Sequence, residues 1–243
     1  MKPARPKRRP LSRTLSAVRR RPGRWLLAGL SLLVSLTVLQ VLALRWVPPL
    51  FTIPMAWHWA SRPFVDGAPP PVRYRWTGLG DVSPHLRRAV IAAEDQRFLD
   101  HGGFDMVEIR KAVAEAVGGE RLRGASTISM QTARSVFLIP SRSIWRKALE
   151  AYYTVLIEAL WSKRRILEIY LNTVDWGDGI FGAEAAAQSY FKSSAAELNR
   201  SRAALLAAIL PNPHRFSPTR PSAFVRQRQQ RILADLSRMP LVR

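Results

Sequence analysis

The sequence predicts a mainly α protein, with a single N-terminal transmembrane helix followed by a compact all-α domain. Three observations carry that reading. Residues 25–44, WLLAGLSLLVSLTVLQVLAL, run twenty positions without a charge between Arg24 and Arg45. Twenty residues at helical rise cover about 30 Å, the hydrocarbon thickness of a bilayer. From Ser83 onward apolar residues recur at spacings of three and four, almost without the alternation of a strand. The 243 residues are 47% apolar, enough to bury one good core beside such an anchor.

Residues 1–24 hold ten Lys/Arg and no acid. A tail so charged has little to bury and reads as disordered, and the positive-inside rule places it in the cytoplasm with everything after Arg45 on the far side. The apolar run at 25–44 exceeds the roughly 7–15 residues of a cleaved signal peptide, so a retained anchor is expected despite the weak cleavage-like Val41-Leu42-Ala43. Residues 45–80 are a proline-rich juxtamembrane connector, with Pro48, Pro49, Pro54, Pro63 and Pro69-Pro70-Pro71, expected to be extended. Trp25, Trp46, Trp57, Trp59 and Trp76 flank or follow the anchor and suit a membrane interface, with core roles left open. The folded domain spans 81–243. Helices are expected at about 84–99, 105–117, 126–138, 143–161, 163–172, 182–191, 199–210 and 221–238. Ser83 and Pro84 can start the first and Gly102-Gly103 end it. Ser194-Ala195-Ala196-Glu197 is a capping box, and Pro211 and Pro213 stop the run AALLAAIL.

The net charge is +21, and with the tail set aside the other 28 bases against 17 acids leave +11. A basic globule suggests an anionic partner: nucleic acid, a phospholipid surface or a phosphorylated substrate. Membrane topology accounts for the tail's charge without nucleic acid. There is no cysteine, which excludes disulfides, thiol nucleophiles and thiolate metal sites. Gly177–Gly182 spells G-x-G-x-x-G, but it follows a helical segment, so a tight loop is the reading, not a dinucleotide site. Ser189-Tyr190-Phe191-Lys192 lacks the K-T-G and S-x-N partners of an acyl enzyme. The four histidines show no metal-ligand spacing. His101 reads as a helix cap.

The chemistry concentrates in three segments. Stepping by four along the first expected helix gives Leu86, Val90, Glu94 and Phe98, so Glu94 falls on an apolar stripe. Ionising a carboxylate there costs ~1–5 kcal/mol, which suits a paired structural acid or a catalytic base. Gly124-Ala125-Ser126-Thr127 opens a helix with free N–H groups and hydroxyls, a candidate anion site. Gln131 and Arg134 then lie three apart on one face. Arg146 and Lys147 share a helix face with Glu150, an ordinary ion pair by spacing but one set in apolar surroundings.

Together these segments resemble the peptidoglycan glycosyltransferases of the penicillin-binding-protein type. That family's first motif, E-D-x-x-F-x-x-H-x-G, is met by Glu94-Asp95-Gln96-Arg97-Phe98-Leu99-Asp100-His101-Gly102-Gly103. Its second, typically G-G-S-T-I-[ST]-Q-Q-x-x-K, is met by residues 124–134 with Ala125, Met130 and Arg134 as departures. Its third, R-K-x-x-E, is Arg146–Glu150, and its fourth, K-x-x-I-L-E-x-Y-L-N, is Lys163–Asn172. GAEAAAQSYF and RAALLAAILPNPHRFSP look like its closing helices. The resemblance covers about 81–218, and the lone anchor without an acyl-transfer domain looks like the monofunctional biosynthetic branch.

The resemblance implies a lysozyme-like glycosyltransferase domain with a small membrane-associated jaw, expected here at residues 104–123. It implies polymerisation of lipid II into β-1,4 glycan with inversion, at the bacterial inner membrane with the catalytic domain in the periplasm. Glu94 would be the general base. Arg134, Arg142 and Lys147 would contact the diphosphate, with Ser126, Thr127, Gln131 and Arg146 completing the substrate site. Glu150 would be the second acid, supporting the diphosphate directly or through Mg²⁺ or Mn²⁺. The partners implied are lipid II, the growing lipid-linked chain, the membrane and cell-wall synthesis or division proteins, with no nucleic acid. Arg134 keeps the expected lysine's charge in a planar fork, while Met130 removes an amide and is the departure expected to weaken activity most. A glycan hydrolase using Glu94 and Glu150, and a non-catalytic membrane scaffold, are the competing readings.

Overall fold

Side-chain caps start most of the helices in the computed structural model, which describes residues 22–64, 70–119, 124–141 and 143–242. In chain order the helices are α1 (Pro22–Leu44), α2 (Ile53–Ser61), α3 (Pro84–Glu94), α4 (Met106–Val117), α5 (Ile128–Phe137), α6 (Ile144–Leu160), α7 (Lys163–Thr173), α8 (Ala183–Phe191), α9 (Arg200–Ile209) and α10 (Ala223–Asp235). Ser83, Asp105, Thr127, Ser143, Ser162, Asn199 and Ser222 each accept an N–H from the first turn that follows. Such a cap stabilises a helix by about 1 kcal/mol.

Residues up to Gln40 and residues from Val41 onward are separate units. In α1 the stretch Gly23–Leu44, 22 residues with mean hydropathy 2.2, is long and apolar enough to cross a membrane and fits single-pass anchoring. The second unit holds the core, and α3, α9 and α10 pack together while α5 packs on α6 and α7. In α9 the residues Ala203, Ala204, Leu206, Ala207, Ala208 and Ile209 are all buried. Alanines let its neighbours approach closely on both sides, which is why a short helix with little amphipathic bias sits in the middle.

The unit begins with the final turn of α1. Val41 is fully buried, and Trp161 donates its indole N–H to the Val41 carbonyl at 2.8 Å. Arg165 donates to the carbonyls of Leu44 and Val47 at 2.9–3.0 Å. The Val41 and Leu44 carbonyls belong to the last turn of α1 and are satisfied by an indole and a guanidinium.

Four expectations change. The helix expected at 84–99 ends at Glu94, because Asp95 turns extended and its carboxylate accepts the Ile128 N–H at 2.9 Å. The connector is not extended throughout: α2 occupies Ile53–Ser61, with Pro54 tolerated in its first turn and Met55 buried. The capping box at Ser194–Glu197 closes a single 3₁₀ turn, and α9 starts later, from Asn199. The domain is not wholly helical: β1 (Arg73–Tyr74) pairs parallel with β3 (Ile180–Phe181), and β2 (Asp175–Gly177) pairs antiparallel with β3. The glycine-rich run 177–182 contains β3 and the tight turn at residues 178–179 that joins it to β2. Gly182 has φ +86, and a Cβ there would lie 2.6 Å from the Asn172 carbonyl oxygen.

Candidate active site

The first two sequence motifs interlock through hydrogen bonds. Asp95, just past α3, receives Ile128 N–H from α5 on one oxygen and His101 Nε2 at 2.9 Å on the other. Gly103 N–H donates to His101 Nδ1 at 3.2 Å, which leaves the neutral ring's proton on Nε2, aimed at Asp95. Thr127 Oγ1 donates to the Gly103 carbonyl at 2.6 Å. Gly103 has φ +94, and a Cβ there would meet Thr154 Cγ2 at 2.8 Å, so only glycine fits. His101 therefore ties the loop to Asp95 instead of capping the helix before it.

This framework delivers Glu94 to the side of a cleft of about 850 Å³. Its carboxylate, 12% exposed, is held from two sides. Gln131 Nε2 donates to one oxygen at 2.9 Å, and Arg228 Nη2 from α10 donates to the other at 2.9 Å. Behind Gln131, the fully buried Tyr170 hydroxyl donates to its amide oxygen at 3.2 Å, fixing which way the amide points. Burial pushes the Glu94 carboxyl above the ordinary carboxylate range, opposed by the Gln131 hydrogen bond and by the charges of Arg228 and Arg134. Burial, then the nearby Glu94 charge, raises the Tyr170 phenol well above its ordinary value, so it stays a donor. A partly desolvated carboxylate with one hydrogen-bonded and one ion-paired oxygen is suited to accept a proton near neutral pH.

Ser126, Thr127, Gln131 and Arg134 line the same cleft. The expected anion pocket at the start of α5 is already filled: Asp95 takes the Ile128 N–H and Thr127 Oγ1 takes that of Met130. Of the lining cations, Lys111 pairs with Glu108, Arg97 with Asp100 and Asp105, and Arg228 with Glu94. Arg134 has no ion pair among the described residues and is the cation left free to meet an anionic ligand. Met130 is 6% exposed and does not line the cleft, so its side chain is core and not a substrate contact.

Glu150 lies elsewhere. It is fully buried on α6, paired with Arg146 and Lys147 at 2.5 Å each, and none of the three lines this cleft. Arg142 lies outside the described residues. Both Glu150 oxygens are occupied by cations, so no open oxygen ligand faces a hard divalent ion there. Asp95, His101 and Asp105 also come together. Their atoms are engaged by Ile128 N–H, by each other, by Arg97 and by the N–H groups of Val107 and Glu108. Neither cluster fits a divalent ion, and no step is assigned to Mg²⁺ or Mn²⁺. Arg228 is the site residue that sequence reasoning missed. Its signal was faint: one of several arginines on α10, 134 residues from its partner.

A family model described as transglycosylase matches residues 68–237. A biosynthetic peptidoglycan transglycosylase of Rhodospirillum centenum is 51% identical over 206 residues, 85% of each chain. Proteins of that description from Ectopseudomonas mendocina (48% over 220 residues, 89% of each chain) and Bacteroides thetaiotaomicron (45% over 204 residues, 84% of this chain and 82% of that one) are similar to it as well. The family's domain is the lysozyme-like α fold, in keeping with the helical packing around Glu94. On that coverage the chain belongs to the transglycosylase family and is a glycosyltransferase.

Proposed function

We propose that this enzyme builds peptidoglycan by polymerising lipid II into β-1,4-linked glycan, with inversion at the donor's anomeric carbon and release of undecaprenyl diphosphate. Glu94 takes the proton from the acceptor's GlcNAc 4-hydroxyl while that oxygen attacks C1 of the donor MurNAc. The bond from C1 to the diphosphate oxygen breaks as the new bond forms. Attack from the face opposite the leaving group gives the inversion. The observation that carries this is the Glu94 carboxylate, desolvated at the side of the cleft and oriented by Gln131 and Arg228. Arg134, without an acidic partner among the described residues, supports the departing diphosphate. Arg142 and Lys147 are assigned to the diphosphate by family resemblance. Glu150 holds Arg146 and Lys147 in place and acts through them.

The membrane setting supports a lipid-linked substrate. The anchor would place the catalytic domain on the periplasmic face of the inner membrane. Trp46, Leu50, Phe51, Trp57, Trp59 and Phe64 are exposed just after it. On α4, Met106, Val113 and Val117 are exposed too, in keeping with a jaw that dips into the interface. Recruitment by cell-wall synthesis or division proteins belongs to the same reading.

The test is polymerisation of fluorescent lipid II by the detergent-purified full chain, wild type beside Glu94→Gln. Glycan ladders from wild type alone are expected, with both proteins equally folded by circular dichroism. Equal ladders from both would remove Glu94 from the mechanism. Lipid II left intact by wild type would sink the polymerase reading.

A further inference from the structure

One helical turn from Arg228, α10 presents Phe224, 53% exposed, stacked on Phe216 with ring centroids 5.3 Å apart. A single exposed phenylalanine needs no explanation. This pair is different because it forms a wall of a hollow of about 430 Å³, completed by Arg215 and Ser222. The segment that bounds the hollow also bounds the catalytic cleft: Leu210 and Pro211 line the cleft, Arg215 and Phe216 the hollow. The two cavities thus share both a loop and a helix, with the Glu94–Arg228 pair at one end and the aromatic pair at the other.

The loop is braced. The N–H groups of Arg215 and Phe216 both donate to the Asn212 carbonyl, at 3.1 and 3.0 Å. Between Asn212 and Arg215, His214 is held by Asp175 at 2.9 Å and Asp178 at 2.5 Å, both on the turn-bearing β2–β3 segment. Phe216 packs inward against the core. The aromatic surface is therefore fixed before any ligand arrives, and Arg215 makes no ion pair among the described residues.

We propose that Phe224, Phe216 and Arg215 form a saccharide subsite beside the catalytic cleft, one helical turn along α10 from Arg228, taking one ring of the glycan on which the enzyme acts. The ligand class rests on the glycan-polymerising reading above. A pyranose has an apolar face of C–H groups and a rim of hydroxyl and acetamide groups. A flat, pre-set aromatic face with a cation at its edge meets both demands, and the hollow's volume falls in the ordinary range for small-ligand sites. A lipid surface is the alternative occupant. The hollow lies one helical turn from Arg228, which lines the cleft and holds Glu94, and a site that close to the reacting carboxylate favours the sugar.

The test is direct titration of the detergent-solubilised full chain with a soluble GlcNAc–MurNAc tetrasaccharide that carries no lipid diphosphate. Phe224→Ala should weaken binding roughly fivefold and Phe224→Trp should keep or tighten it, given the usual strength of ring stacking. Phe224 is exposed enough for either change to leave the fold intact, checked by thermal melting. Failure of wild type to bind the tetrasaccharide, or equal binding by wild type and Phe224→Ala, overturns the subsite. So does a Phe224→Ala protein that loses affinity for anionic lipid vesicles but not for the sugar. Polymerisation of lipid II is scored separately: a wild type that binds sugar through Phe224 yet makes no glycan keeps the subsite and defeats the polymerase reading, and the reverse pattern does the opposite.

Discussion

Replacing Arg228 with glutamine should shift the pH dependence of catalysis more than its ceiling. Arg228 Nη2 lies 2.9 Å from Glu94 Oε1, with the two side chains 27% and 12% exposed. A hydrogen bond to a charged group contributes ~1.5–3 kcal/mol net. The partial exposure of the arginine reduces this to about 1–2 kcal/mol. At 1.36 kcal/mol per unit, losing it raises the Glu94 pKa by about one unit. The sign follows from burial. Glu94 already titrates above the ordinary range, and removing a cation favours the protonated form further. On the proposed mechanism only the carboxylate accepts the acceptor's proton, so the acid limb of kcat/KM should move up by about one pH unit. The rate below the limb should fall about tenfold, and the plateau at higher pH should largely recover. Arg228→Lys should shift the limb less. The assay is lipid II consumption from pH 5 to 9 with both variants. An unmoved acid limb beneath a uniformly lowered plateau would refute the argument and make Arg228 a substrate contact.

Three further outcomes follow from the framework around the cleft. Gly103→Ala should lower stability by about 2–4 kcal/mol, from its φ of +94 and from the Cβ placed 2.8 Å from Thr154 Cγ2, read from denaturant midpoints. His214 is held at a pKa of about 9, by the Asp175 hydrogen bond first and against the effect of its burial. Its contribution to stability should be complete below about pH 6.5 and vanish as pH rises to about 9. Melting curves of wild type and His214→Gln should therefore converge over that window, and a constant gap would contradict the assignment. Arg165→Ala leaves Glu168 without its close cation and frees the Leu44 and Val47 carbonyls, so a loss of about 3 kcal/mol is expected on thermal unfolding. The acid limb of the pH profile should stay in place.

Helix positions were legible because caps and apolar spacing are local. Ser143, Ser162 and Asn199 start helices within a residue or two of where pattern alone placed them. The misplaced end of α3 has a non-local cause. Phe98 is buried as its spacing implied, but it gets there by a turn, after Asp95 leaves the helix to cap α5. The strands were illegible because they are two or three residues each, too short to show alternation, and β1 finds its partner β3 roughly a hundred positions away. At the site, Glu94, Gln131 and Arg134 could be read because each sits in a recognisable segment. Arg228 could not, since nothing in an arginine-rich helix marks which guanidinium will meet a carboxylate.

The fourth motif had been given no role by sequence, and α7 shows what its spacing accomplishes. Arg165, Glu168 and Asn172 recur at steps of three and four and so share one face. Arg165 takes the carbonyls at the end of α1. Glu168 accepts the Leu79 N–H at 2.9 Å, and Asn172 brackets Thr77 through both its N–H and its carbonyl at 2.8 Å. Ile166 and Tyr170, four apart, lie on another face, where Tyr170 reaches Gln131 and through it Glu94. One eleven-residue helix thus holds the backbone at Leu44 and Val47 on one side and orients the Glu94 carboxylate, through Gln131, on the other. This accounts for a motif whose members, Tyr170 apart, touch nothing in the cleft.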